Sequence, residues 1–139
     1  MKQVRFEEAL EHILERDERY SADAYGFVRE ALDHAIELHE KPRKGAARHV
    51  SGQELLAGIR DYALREFGPM AMTVLHRWGV HRCEDFGEIV FNLVKEGVLG
   101  KTDEDSRADF RGGYDFDEAF RAPFRDSAGH RRETPTDGA

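Results

Sequence analysis

This chain of 139 residues contains a single cysteine, Cys83. A single thiol cannot form a disulfide within the chain, which excludes a small exported fold held together by disulfides. Apolar runs are also short, and none approaches the roughly 20 residues that a helix needs to cross a bilayer. The N-terminus turns acidic at Glu7 before any signal-peptide core can form, so we expect a cytoplasmic protein with no membrane partner.

Sequence motifs typical of phosphate-binding and metal-binding proteins are missing as well. The chain has neither the glycine spacing of a dinucleotide-binding fold nor that of a phosphate-binding loop. None of its seven histidines has Glu three residues before it, which excludes the motif of a di-iron helical bundle. His34 shares a helical face with Glu30 and Glu37, but this spacing is more typical of a surface histidine. We therefore expect no metal ion and no cofactor.

The clearest pattern that is present is a run of three amphipathic segments in residues 51–97, each ended by a glycine. These glycines are Gly68, Gly79 and Gly97. Ser51 and Glu54 have the spacing of a capping box, which predicts that the first helix begins near Gly52. Pro69 suits the start of a short second helix. The third segment carries the strongest helical periodicity. Together the three segments predict a compact unit that resembles a helix-turn-helix or winged-helix core.

Helical periodicity also precedes this unit. Two stripes in residues 5–40 predict a helical hairpin whose second helix is capped by Ser21 and ended by Pro42. Residues 41–50 are then a linker, residues 98–125 form a C-terminal arm that opens with a weaker capping box at Thr102–Asp105, and residues 126–139 are a polar, disordered tail. The sequence therefore predicts one all-α domain in residues 1–125.

Several runs of residues resemble a known protein family. These runs are residues 48–56, 67–69, 78–80, 84–92 and 105–110. They are similar to an uncharacterised protein family of planctomycete and verrucomicrobial bacteria, and the resemblance covers roughly residues 5 to 124. That family has no assigned activity. The resemblance therefore implies an intact bacterial protein, but it transfers no catalytic residue to this chain.

Positive charge is concentrated in the linker. Residues 41–50 contain four basic residues and no acidic one, whereas residues 1–40 contain five basic and eleven acidic residues. The candidate contacts for a phosphate or an acidic partner are Lys41, Arg43, Lys44, Arg48 and His49. A basic loop of this kind binds phosphates in some proteins, and in others it only balances its acidic neighbours in solvent. Both interpretations stay open at this point.

The third segment of the unit argues against DNA binding. Opposite its apolar stripe it carries the carboxylates of Glu84, Asp85, Glu88 and Glu96 together with Asn92, and only Lys95 is positive. A helix that enters the major groove must approach phosphates, which repel carboxylates. We therefore predict a non-catalytic module for protein–protein interaction or assembly, with a protein partner or a second copy of the chain. Nucleic-acid binding through residues 41–50 is the alternative.

No convincing catalytic constellation is present. Cys83 lies close to His81 and at a predicted helix start, where a helix dipole can lower a thiol pKa. No third group is evident to orient the histidine, so Cys83 is predicted to be a packed or capping residue and the chain is predicted not to be an enzyme. Trp78, Phe86 and Phe91 have the spacing of a helical core, although aromatic residues also form ligand pockets.

The C-terminal arm is rich in aromatic residues. Tyr114, Phe116, Phe120 and Phe124 fall within eleven residues and alternate with charged side chains. Such a segment packs into a groove, either of its own domain or of a neighbouring chain. These four residues are therefore the candidate interaction arm.

Overall fold

The computed structural model describes residues 2–42, 49–99 and 107–124, and all regular structure in these ranges is helical. The α-helices are α1 (Lys2–Arg16), α2 (Ala22–Leu38), α3 (Gly52–Phe67), α4 (Ala71–Arg77) and α5 (Cys83–Lys95). Short 3₁₀-helices cover Gly68–Met70 and Arg107–Phe110, and one π-helical turn covers Asp117–Arg121. The predicted all-α class is confirmed. None of the described helices has both the length and the apolar character that crossing a membrane requires.

The predicted capping box at the start of α3 is confirmed. The Ser51 hydroxyl accepts a hydrogen bond from the Glu54 backbone N–H at 3.1 Å, and the Glu54 carboxylate accepts one from the Ser51 N–H at 3.0 Å. The three predicted glycine stops are all found. Gly68 follows α3 with a φ of 52°, and its N–H donates to the Leu64 carbonyl. Gly79 and Gly97 follow α4 and α5 with φ angles of 92° and 78°. Backbone N–H groups at and after each of these two glycines bond to the last carbonyls of the preceding helix, which closes it.

The ends of α2 differ from the prediction. This helix begins directly after Ser21, but the Ser21 hydroxyl is buried without a hydrogen-bond partner among the described residues, so it does not cap the helix. A backbone hydrogen bond connects the start of α2 to the end of α4 instead, since the Ser21 N–H donates to the Trp78 carbonyl at 3.1 Å. At the other end α2 stops at Leu38, before Pro42 is reached. Glu40 adopts a φ of 53° there and takes the place that a glycine usually occupies.

The core forms where α2, α3 and α5 meet. Helices α2 and α3 pack closely at Gly58, where an added Cβ would lie only 2.5 Å from the Cβ of Ala35. Helix α5 contributes Phe86, Ile89 and Leu93, which are completely buried. Because these residues recur on one face of α5, a single amphipathic stripe fills the centre of the domain.

The C-terminal segment covers the same core from another side. Phe110 is buried over Gly87 of α5, where an added Cβ would lie 3.1 Å from the Phe110 ring. The π-helical turn contacts α3 and α4 and buries Ala119 and Phe120. The predictions for the capping box at Thr102–Asp105 and for the tail 126–139 lie outside the described residues.

Candidate functional site

An open groove with an aromatic floor crosses α2 between α1 and the end of α3. It encloses about 760 Å³. The floor consists of Phe6 from α1, Phe27 from α2, Tyr62 and Phe67 from α3, and Trp78 after α4. The ring of Phe27 lies at the centre, with its centroid 5.4 to 5.7 Å from those of Tyr62, Phe67 and Trp78. These rings hold one another in place, so the floor is preformed.

Carboxylates surround this floor. The acidic residues that line the groove are Glu7, Asp23, Glu30, Asp33 and Glu66. All five are exposed, and among the residues that the structure describes Arg29 is the only cationic one that lines the groove with them. The Arg29 guanidinium lies 4.5 Å from the centre of the Phe6 ring, so its charge sits over the α1 edge of the groove. We call this site, with its five aromatic and five acidic residues, the acidic groove.

Tyr62 connects the aromatic floor of the acidic groove to the carboxylates that surround it, which form its rim. Its hydroxyl donates a hydrogen bond to the Glu30 carboxylate at 3.0 Å. Burial of the hydroxyl and this bond to Glu30 raise the pKa of Tyr62 to about 12, and the charges of Glu66 and Asp33 act in the same direction. Burial disfavours the phenolate whatever the surrounding charge, whereas the contributions of Glu30, Glu66 and Asp33 come from the carboxylates close to the hydroxyl.

His34 lies beside the acidic groove and does not meet the two glutamates that share its helical face. Its Nε2 atom is 2.6 Å from the Asp61 carboxylate on α3, and this contact holds the pKa of Asp61 below its usual value. Arg65 also reaches Asp61, at 3.0 Å. This side of the domain is therefore a link between α2 and α3, and no cluster of metal ligands forms among the described residues.

The candidate basic contacts are only partly described. Lys41 forms an ion pair with Glu54 at 3.2 Å, so its charge is engaged at the start of α3. His49 is half-buried. Arg43, Lys44 and Arg48 lie outside the described residues. The role of the five candidates therefore stays a prediction.

The candidate interaction arm is packed on its own domain. Phe116 and Phe120 are buried, and the rings of Tyr114, Phe116 and Phe120 lie 5.0 to 6.2 Å apart. The Tyr114 hydroxyl donates to the Leu56 carbonyl at 2.9 Å. Phe124 differs from the other three because it is 37% exposed. Of the two alternatives for the arm, the structure shows packing in the same chain.

The polar face of α5, which the sequence shows to be acidic, is covered by other parts of the chain. Asn92 is only 3% exposed and accepts a hydrogen bond from Arg16 at 2.9 Å. Its amide donates to Asp17 and Tyr25, each at 3.0 Å. Glu88 and Glu96 pair with arginines of the α1 end and of the loop after it. The hydrophobic periodicity of α5 does not show that other parts of the chain cover its polar face.

Cys83 is a packed residue. The thiol is buried and donates to the Tyr114 carbonyl at 3.4 Å. Burial raises its pKa to about 11, and the charge of Glu84 adds to this shift. The hypothesis that a helix dipole lowers this thiol pKa is therefore wrong, because loss of solvent outweighs the position at the start of α5.

Trp78, Phe86 and Phe91 do not form a common pocket. Phe86 is completely buried in the core, whereas Phe91 is 37% exposed and lies under the Lys95 amine. Trp78 alone lines the acidic groove. Sequence analysis missed this groove, although Asp23, Glu30 and Asp33 do share one face of α2. What the pattern lacks is any sign that the faces of α1 and α3 meet that face.

Comparison with known proteins adds no family or relative. No family model, no curated protein and no solved structure matches this chain. The resemblance to a bacterial family therefore stays a prediction, as does the helix-turn-helix arrangement. The acidic groove is the candidate functional site on its own geometry.

Proposed function

We propose that this protein is a non-catalytic protein–protein interaction module that binds a segment of its partner in the acidic groove. The observation that carries the proposal is the preformed aromatic floor. Its rings of Phe6 and Phe27 are buried, whereas Tyr62, Phe67 and Trp78 stay partly exposed to solvent, so a ligand can still cover them. Aromatic residues supply most of the binding energy in many protein interfaces. A groove of about 760 Å³ has the size of a side-chain or peptide binding site.

The surroundings of the groove favour binding over catalysis. Its titratable groups are the five carboxylates, Arg29 and Tyr62, and the pKa of Tyr62 is raised. A raised pKa keeps the phenol protonated at neutral pH, so almost no phenolate is present to act as a base. The chain's one thiol lies elsewhere, buried and with a raised pKa. The groups that face the groove are therefore suited to holding a ligand in position.

Nucleic-acid binding has less support. A recognition helix must present an accessible face to the major groove, but arginines of α1 and of the following loop cover the polar face of α5. The remaining hypothesis relies on residues 41–50, where Lys41 is paired with Glu54. The acidic groove itself would repel a phosphate backbone.

The proposal is tested by filling the groove. Gly26 lines it, and an added Cβ at this position meets nothing within 4 Å, so Gly26→Leu is chosen to place a side chain in the groove. Tagged wild-type protein, Gly26→Leu and the control Ala57→Leu are used for capture from a lysate of the source cells, followed by nuclease treatment and mass spectrometry. Ala57 is an exposed helical residue of α3 that does not line the groove.

We expect a stoichiometric protein that survives nuclease treatment, is retained by Ala57→Leu and is lost by at least about tenfold with Gly26→Leu. Equal capture by Gly26→Leu would contradict the groove as the binding site. Capture of nucleic acid alone, abolished by changing Arg43 and Lys44 to Glu, would establish the alternative function in place of this one.

A further inference from the structure

The charge of the acidic groove is unbalanced. Five exposed carboxylates face one guanidinium, and within the described ranges no ion pair joins a cation to Asp23, Asp33 or Glu66. Carboxylates that share a site repel one another, and a bound cation relieves this repulsion. The charge therefore selects a positively charged occupant.

The floor of the groove favours the same kind of occupant. Faces of aromatic rings attract ammonium and guanidinium groups, and the structure already contains one example, because Arg29 lies over Phe6 at 4.5 Å. Trp78 and Tyr62 are half-buried and present further ring surface in the groove. Apolar side chains also pack well on such rings. An occupant with both kinds of side chain can pack its apolar groups on the aromatic floor and pair its cationic groups with the carboxylates of the rim.

The spread of the carboxylates excludes a single small cation as the best occupant. Asp23 and Asp33 are ten residues apart on α2, which separates them by about 15 Å along the helix axis. Glu7 and Glu66 lie on the two helices that flank α2. One ammonium group reaches a single carboxylate or a close pair, whereas a peptide segment with several basic residues reaches carboxylates along the whole groove.

Gly26 gives the occupant room to approach closely. Glycine weakens a helix relative to alanine, so a helical glycine usually serves a tight internal contact, as Gly58 does against Ala35. Gly26 serves no such contact, since an added Cβ meets nothing within 4 Å. The space above it belongs to the groove. A partner backbone can therefore cross α2 at Gly26.

From these observations we infer that the acidic groove binds a basic amphipathic segment of a partner protein, whose apolar side chains lie on the aromatic floor and whose lysines or arginines meet the carboxylates. This inference rests on the proposed function and names the chemistry of the partner. The segment crosses α2 at Gly26.

Fluorescence of Trp78 provides a direct test, because it is the only tryptophan of the chain and lines the groove. The full chain is titrated with a panel of amphipathic peptides of about 16 residues that carry Leu on one face and Lys or Arg beside it. The same peptides with Glu in place of the basic residues are the matched control. Spermidine is the control for a small cation.

We expect basic peptides to bind with micromolar affinity and the Glu-containing peptides not to bind. Between about 50 and 200 mM salt the affinity should fall by about tenfold, because the pairing is largely exposed. Asp33→Asn with Glu66→Gln should weaken binding by about tenfold, whereas Glu11→Gln with Glu15→Gln, which removes two exposed carboxylates of α1 outside the groove, should leave it unchanged.

Three results would overturn the inference: no basic peptide binds, the Glu-containing peptides bind equally well, or spermidine binds as tightly as the peptides. If cellular capture is still lost with Gly26→Leu in these cases, the interaction module stands and only the partner chemistry is wrong. If basic peptides bind but capture is insensitive to Gly26→Leu, the proposed function fails although the groove has the inferred chemistry.

Discussion

Asn92 shows how a single polar residue connects distant parts of this fold. A buried amide is costly unless its donor and acceptor atoms are paired, and here both are. The Asn92 oxygen accepts from Arg16, and its nitrogen donates to Asp17 and Tyr25. Since these partners come from α1, the following loop and α2, one side chain of α5 determines how three elements meet.

Asp17 makes the stability of this connection depend on pH. Hydrogen bonds from Arg19 hold the pKa of Asp17 below its usual value, and the bond from Asn92 adds to this effect. The pKa of Asp17 is thus lower in the folded than in the unfolded state, where it is about 3.9. Its contribution is therefore present above about pH 4 and is lost as the pH falls further. We expect Asp17→Asn to lower the free energy of unfolding at pH 7 by about 1–3 kcal/mol.

Urea denaturation at pH 7 and near pH 3, followed by circular dichroism, tests this expectation. The loss of stability between the two pH values should be smaller in Asp17→Asn than in the wild type. Asp23→Asn removes an exposed carboxylate and should change stability by less than about 0.5 kcal/mol at pH 7. A wild-type pH dependence in Asp17→Asn would contradict the role assigned to Asp17.

At the scale of elements, the packing of α2 against α3 depends on two small residues. Gly58 faces Ala35, and an added Cβ would approach the Ala35 backbone Cα to 2.9 Å. Backbone atoms cannot move aside as a flexible side chain does, so the two helices would have to separate. Gly26 lies on the same helix pair but has open space above it.

Alanine substitution at these two glycines should act in opposite directions. We expect Gly58→Ala to lower the free energy of unfolding by about 1–3 kcal/mol through overpacking, although alanine is the better helix former. Gly26→Ala should raise it by about 0.5–1 kcal/mol, because only helix propensity changes. Each is measured by urea denaturation against the wild type. If both variants were stabilised, the close approach of α2 and α3 would be contradicted.

For the whole molecule, the C-terminal segment acts as part of the core. Phe110 packs over Gly87 of α5, while Phe120 is completely buried against the rest of the domain. The domain therefore depends on residues that are distant in sequence from the helices they cover. The acidic groove lies elsewhere, since its lining residues belong to α1, α2, the end of α3 and Trp78.

Alanine substitutions at Phe120 and Phe124 compare the buried part of the C-terminal arm with its exposed end. Phe120→Ala should lower the free energy of unfolding by about 3–5 kcal/mol, because it removes a fully buried ring and leaves a cavity. Phe124→Ala should cost less than about 1 kcal/mol, since that side chain is 37% exposed. Thermal unfolding of the two variants provides the comparison. Equal effects would show that Phe120 is not packed as described.

The helices of this protein are more predictable from its sequence than the contacts that surround them. The capping box at Ser51 and the stops at Gly79 and Gly97 follow from neighbouring residues, so they are visible in the pattern. The stop at Glu40 is not, because a non-glycine residue there adopts a positive φ without a sequence signal. Burial of Asn92 was missed for another reason, namely that its partners are more than 60 residues away.

The all-α class, the position of most helices and the acidic character of the chain follow from the sequence alone, because periodicity, capping and charge are local properties. That Phe6, Phe27, Tyr62 and Trp78 line one groove together with five carboxylates is visible only in the folded chain. Each helix encodes which face is apolar and which is acidic, but the groove exists only where the faces of three helices meet. That meeting depends on close contacts such as the one between Gly58 and Ala35, which act across the chain and leave no local pattern.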